Sequence, residues 1–196
     1  MERAPTSQFV NSAMVNLLGS YFTPGIRYID EYRLAAPAAS VIFATIPQFY
    51  RELQVSMKIR STRAAPNESD SVGIQFNADA GNRYHWGYLQ RSGGAFTSGE
   101  FLNAAAISIG VTEAGGSTAG FFSSVKFSVI NYAAAAVAHY AQGESTAWGN
   151  QSVAADYILS YRSGNWTPVG AQAITSLTVF CLNGNIDTGS IIRFSP

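Results

Sequence analysis

What this sequence has least of is charge. Charged side chains make up 12% of it, about half of the roughly 25% usual in a soluble domain. Twelve basic and twelve acidic residues cancel to a formal net charge of zero. A dedicated nucleic-acid binder needs a basic stripe to displace counterions, and no such stripe is present. Cysteine is nearly absent: one residue, Cys181, excludes an internal disulfide framework and any Cys-rich zinc module. Its alternating setting with Leu177 and Val179 predicts a core thiol. There are two histidines, His85 and His139, with neither HxH nor HExxH spacing. GxSxG elbows, Walker loops and a GxGxxG after a strand are also missing. No run of about 18 apolar residues occurs, so no membrane-spanning helix is expected. The opening MERAPTSQFV lacks the basic start and apolar stretch of a secretory signal, which predicts synthesis in a cytosol.

The missing charge is replaced by Ser, Thr, Asn, Gln, Gly and 28 Ala, within a chain that is 47% hydrophobic. At 196 residues it is long enough for one domain with a sizeable core. A polar but nearly uncharged surface is expected where large areas face another protein, because burying unpaired charge is costly.

Two regions are distinguishable. Residues 1–33 read as an N-terminal arm for assembly or docking. Ser7 is placed to cap a short helix with Val10, Met14, Leu17 and Leu18 on one face, and Gly19 and Pro24-Gly25 stop it. The IRYIDEYRL that follows reads as extended. A lone amphipathic turn of this length is not stable by itself, so the arm must dock on its own domain or on a neighbour. Residues 34–196 read as an all-β domain.

In that domain the hydrophobic period is two. SVIFATI reads as a strand, and Pro47 interrupts the pairing after it. RELQVSMKIRS is the clearest half-buried strand, with Leu53, Val55, Met57 and Ile59 inward and Glu52, Gln54, Ser56, Lys58 and Arg60 outward. VGIQF alternates through Val72, Ile74 and Phe76, and YHWGYLQ continues after a turn. RSGGAFTSGE reads as a Gly/Ser loop, FLNAAAISIGV as a strand, and VKFSVINYA as a strand with Val125, Phe127 and Val129 inward. AAAAVAHY reads as strand end and loop, with His139 closing the strand. One more strand is expected near 153–161, then a strand pair, ITSLTVFCL and GSIIRF, around Asn183-Gly184-Asn185. Short strands, Gly-rich turns and no long helix predict an antiparallel β-sandwich or jelly roll. FLNAAAISIGV and SVAADYILSY carry almost no charge and no Pro, so they read as unguarded edges that subunits would cover.

The stretch FNADAGNRYHWGYLQ gathers most of the residues that could carry chemistry. Asn77, Asp79 and Asn82 have the alternating oxygens of a calcium loop but lack its further carboxylates and bidentate Glu. A turn fits better, in which Asn and Asp bond their own backbone and Gly81 takes a positive φ. His85 reads as a strand residue packed beside Tyr84 and Trp86. Tyr84, Trp86, Tyr88, Trp148 and Trp166 fit a core or subunit interface better than a sugar-stacking platform. No catalytic, cofactor or metal site follows from these residues.

Three stretches together, IPQFYRELQVSMKIRSTRAA, VGIQFNADAGNRYHWGYL and ITSLTVFCLNGNIDTGSIIRF, resemble a group of tailed-bacteriophage virion proteins. That group shares an IPxxYxxLxVxxxxR strand, an RFNxDxGxxY turn and a closing GNFxxGSxFxLYG hairpin. The resemblance covers roughly residues 38–195. It departs at Gln75, where the group carries an Arg or equivalent, and at the end, Phe194-Ser195-Pro196, which lacks the Tyr-Gly close. It implies a non-enzymatic sandwich on a phage particle, localised to the virion and made in the host cytoplasm. The expected role is a capsid decoration (cement) protein, a homotrimer partnered by itself and the major capsid protein, with Trp148 or Tyr157 near its interfaces. The alternative is a tail or fibre module partnered by other tail proteins or a host receptor or glycan. Neither role involves nucleic acid, membrane or cofactor.

Overall fold

A computed structural model describes residues 29–135, 137–148 and 157–196. The helix expected around Val10–Leu18 lies outside the described residues. Among them the chain forms twelve strands and no helix. The strands are β1 (Asp30–Arg33), β2 (Ser40–Phe43), β3 (Glu52–Ile59), β4 (Ser69–Phe76), β5 (Tyr84–Ser92), β6 (Ala95–Ala104), β7 (Ile107–Glu113), β8 (Ser123–Ile130), β9 (His139–Trp148), β10 (Tyr157–Trp166), β11 (Leu177–Cys181) and β12 (Ile191–Ser195). They build an antiparallel β-sandwich. Its large sheet has the order β1-β12-β3-β8-β9-β10-β5-β6 and its small sheet β2-β11-β4-β7.

The core follows from the period-two pattern. Leu53, Val55, Met57 and Ile59 of β3 are buried, as are Val125, Phe127 and Val129 of β8 and Val72, Ile74 and Phe76 of β4. The two inner faces interdigitate around Phe43 and Phe194, whose rings stack at 4.8 Å. Cys181 is buried, and burial pushes its thiol up to about 12, with Asp70 nearby adding to the shift. Where β9 crosses under β7 the sheets approach closely. A Cβ on Gly143 would sit 2.6 Å from the Ile109 carbonyl oxygen, so no larger residue fits that crossing.

Several sequence expectations are corrected here. Arg60 does not point to solvent; it is 6% exposed, because the strand ends at Ile59 and the alternation with it. RSGGAFTSGE is not a loop but a tight hairpin, turning at Gly93 and Gly94 with φ of 56° and 83°, and β6 begins at once. FLNAAAISIGV is not one strand. It leaves the large sheet at Ala104 and enters the small one at Ile107, so it supplies the β6 edge of one sheet and the β7 edge of the other. SVAADYILSY is not an edge, since its described part opens β10, which is flanked by β9 and β5. β9 went unread, and His139 opens it rather than closing a strand. The C-terminal pair is not a hairpin: β11 lies between β2 and β4, while β12 lies between β1 and β3. Residues 30–33, in the segment read as an arm, pair with Ile191–Phe194 along the edge of the large sheet.

Candidate functional site

The stretch from Phe76 to Tyr84 is a turn anchored from several sides. Asn77 and Ala78 take the positive φ, 51° and 55°, in place of Gly81. The Asn77 amide is turned to the 173–176 segment. It donates to the Ala173 carbonyl at 2.8 Å and accepts from the Thr175 and Ser176 amides at 2.8 and 3.1 Å. Asp79 is directed elsewhere. Its Oδ1 accepts from the Gly81 amide at 2.8 Å and from Arg83 at 2.6 Å, and its Oδ2 accepts from the Trp166 indole at 2.8 Å. Tyr84 clamps the turn, its hydroxyl accepting from the Phe76 amide and donating to the Asp79 carbonyl, each at 2.9 Å. Asn77 and Asp79 are therefore committed to different partners, and Asn82 faces solvent. Among the described residues no group of three or more His, Cys, Asp or Glu is placed to hold a metal ion.

Partial burial opposes ionisation of Asp79, but the Trp166 and Gly81 hydrogen bonds and the Arg83 guanidinium outweigh it, so its carboxyl is held below the ordinary range. A depressed carboxyl stabilises the fold above its unfolded pKa, near 3.8, and that stability is lost as pH falls through the folded value. Asp79→Asn is expected to be less stable at neutral pH. Its urea midpoint should also fall less steeply than that of the wild type between about pH 5 and pH 2. Parallel acid limbs for the two proteins would contradict the assignment.

The two histidines lie on opposite faces of the large sheet and do not converge. His85 is on the outer face, where its Nδ1 accepts from the Asn103 amide at 3.3 Å. His139 is fully buried, stacked on Trp166 at 5.5 Å. Its Nε2 is 2.7 Å from the Gln172 carbonyl, which makes that nitrogen the donor, and its Nδ1 has no partner.

The aromatic residues divide into three groups. Tyr84 and Trp166 are core, packed with Phe76. Trp148 and Tyr157 meet edge to face at 5.6 Å on the outer face, with Trp148 half exposed. Trp86 and Tyr88 face inward at the far side of the large sheet, with Phe101 stacked on Trp86 at 4.1 Å. Between them stands a residue that the sequence reading missed, Arg162. The signal was available: Ile158, Ser160, Arg162 and Trp166 share one phase of β10, and all are buried.

On the outer face, a depression of about 510 Å³ lies over Gly87 and Ser163, walled by His85, Glu100, Tyr140, Gln142 and Asn165. Beside it runs an apolar band across four strands. Trp148 and Tyr157 are paired, Tyr161 pairs with Leu89, and Arg91 pairs with Phe96. Phe96 is 71% exposed, and Leu89, Leu159 and Tyr161 about half. β6 is uncovered on both faces except at two positions, yet it carries Phe96, Phe101 and Leu102.

No family model matches the chain, and no curated protein matches it. Among solved structures, a protein of unknown function from Shewanella oneidensis MR-1 aligns over 88% of this chain and 76% of its own, at 13% identity and a TM-score of 0.28. A likeness at that level bears on neither fold nor function. None of these comparisons bears on the resemblance to phage virion proteins.

Proposed function

We propose that this chain is a non-enzymatic structural protein of a phage particle, a capsid decoration protein that works as a homotrimer. The observation that carries this reading is the outer band of the large sheet. Singly exposed apolar residues are ordinary, but Trp148, Tyr157, Leu159, Tyr161 and Leu89 adjoin one another on β9, β10 and β5, with Phe96 beyond them on β6 across from Arg91. A contiguous patch of that kind marks a surface that is covered by another protein. The scarcity of charge fits the same reading, as does the edge strand β6, which lacks Lys and Pro and whose guards against edge pairing are Glu100 and the irregular register at its Asn103 end. Closed three-fold symmetry covers such surfaces without running on into fibres.

Sedimentation equilibrium at micromolar concentration is expected to give three times the 20.9 kDa of one chain, with interfaces on the order of 1,000 Å² or more. A stable monomer contradicts the trimer. Densitometry of purified particles is expected to show the protein in hundreds of copies.

The second reading, a tail or fibre module that binds a host glycan, is favoured by the depression around Tyr140, Gln142 and Asn165. It combines an exposed aromatic face with amide and carboxylate groups, the mixture that small-ligand sites use. A handful of copies per particle decides for this reading, and absence from the particle contradicts both.

A further inference from the structure

The large sheet is wider than the small one. β7, the edge of the small sheet, lies across β8, β9 and β10 and barely reaches β5, so the inner faces of β5 and β6 overhang. In the angle between the overhang and β4 is a cleft of about 280 Å³. Arg162 forms its floor and is 5% exposed. Its Nε donates to Ser160 Oγ at 3.0 Å, and its Nη1 donates to Ser108 Oγ. The remaining contacts, Nη1 to Ser71 Oγ at 3.5 Å and Nη2 to Gln90 Oε1 at 3.4 Å, lie at the outer limit of hydrogen bonding. All of these acceptors are neutral.

Among the described residues Arg162 has no ion-pair partner, and neither does Arg63, the second cation of the cleft, whose Nη1 donates to the Ser69 carbonyl at 3.1 Å. The one carboxylate in the wall, Asp70, is already engaged. Its oxygens accept from the Ser61 hydroxyl at 2.7 Å, the Asn183 side-chain amide at 2.8 Å and the Ser71 and Asn183 backbone amides.

Burying a cation without a counter-ion is costly, and an apolar side chain of the same volume fills such a place at no such cost. The burial is offset only in part by the rings of Trp86 and Tyr88, which lie 5.5 and 5.6 Å from the guanidinium. We propose that the missing partner is an external carboxylate, and that the cleft binds an acidic sugar. The planar guanidinium fork matches a carboxylate in two parallel N–H···O bonds. Phe101, 47% exposed and backed by the Trp86 ring stacked behind it, gives an apolar wall for the C–H face of a sugar ring, while Ser69, Ser71 and Gln90 meet its hydroxyls. Sulfate or phosphate satisfies the charge but leaves that wall unused. The volume is just under the roughly 300–1,000 Å³ of drug-sized sites, which suits one ring rather than a chain. The cleft is on the opposite face of the sheet from the apolar band and the Tyr140 depression, so its occupancy and the particle role stand or fall separately.

The test is a nuclear magnetic resonance titration that follows the indole N–H signals of the three tryptophans, with glucuronate, glucose and sulfate as probes. The Trp86 signal is expected to shift saturably with glucuronate at millimolar concentration and not with glucose. Arg162→Met should weaken glucuronate by about tenfold or more, the size expected for hydrogen bonds to a charged group, and Arg162→Lys should weaken it less. Phe101→Ala, at an exposed position and safe for the fold, should weaken glucuronate while leaving sulfate unchanged, and it carries the test if Arg162→Met does not fold. Failure of glucuronate to shift Trp86 in the wild-type protein overturns the site. Sulfate binding as tightly as glucuronate, or Phe101→Ala without effect, overturns the assignment to a sugar.

Discussion

Replacing Arg60 with methionine is expected to destabilise the protein by about 2–5 kcal/mol, the cost of leaving unpaired the carbonyls that its guanidinium satisfies. The side chain closes the end of the sandwich. Its Nη1 donates to Ser117 Oγ, the Thr118 carbonyl and the Phe121 carbonyl at 3.1, 3.0 and 2.9 Å, and its Nη2 to the Ala114 and Ser117 carbonyls at 2.7 and 3.2 Å. Its Nε lies 3.7 Å from the Asp187 carboxylate. One guanidinium thus holds the 114–121 loop against the 187–190 turn. Methionine fills the volume but donates nothing. The Ala114 and Thr118 carbonyls keep backbone donors, Ser117 and Phe121 respectively, whereas the Ser117 and Phe121 carbonyls lose theirs, at about 1–3 kcal/mol for each buried group left unpaired. Lysine keeps the charge but not the fork, and Arg60→Lys should fall between the two. Urea denaturation with unchanged slope measures the loss. A shift of under about 1 kcal/mol, within the range of a single ordinary hydrogen bond, would show that the loop and turn hold without Arg60.

Trp166→Ala is expected to cost as much, about 3–5 kcal/mol, the usual range for a buried aromatic. The indole is 1% exposed and packs against Phe76 at 5.7 Å, His139 at 5.5 Å and Tyr84 at 6.3 Å. It also donates to Asp79, so it fastens the 77–83 turn to the end of β10. Trp166→Phe keeps most of the packing and removes only the donor, and should cost about 1–3 kcal/mol. The gap between the two variants separates cavity from hydrogen bond. Equal losses would mean that the hydrogen bond, not the ring, does the anchoring.

The parts of this fold that could be read from sequence are those where burial alternates with large apolar side chains. β3 and β8 announced themselves through Leu53, Val55, Met57 and Ile59 and through Val125, Phe127 and Val129. β9 did not, because its inward residues are Ala141, Gly143, Ser145 and Ala147. Small residues are needed there because the sheets approach closely, and small residues carry no hydrophobic signal. The crossings between sheets, β6 to β7 and β11 to β12, were hidden for another reason. Apolar residues run on through the first junction and a hairpin-like turn sequence fills the second, and pattern alone does not say which sheet a strand joins. Arg60 and Arg162 were read by polarity as surface residues or passed over, although Arg162 sits in the buried phase of its strand. The turn at Asn77–Arg83 was legible as a turn, but the residues with positive φ were not, since Asn77 and Ala78 take the conformation that glycine was expected to take.

The central claim is that the band from Trp148 to Phe96 is covered on a particle. Cryo-electron microscopy of the particle, with this sandwich fitted into the map, tests it most directly. The expected result is three copies around three-fold positions of the shell, with Leu89, Leu159 and Tyr161 buried against a neighbouring copy or the capsid surface. A particle that carries the protein with that face open to solvent, or that lacks it altogether, would contradict the claim.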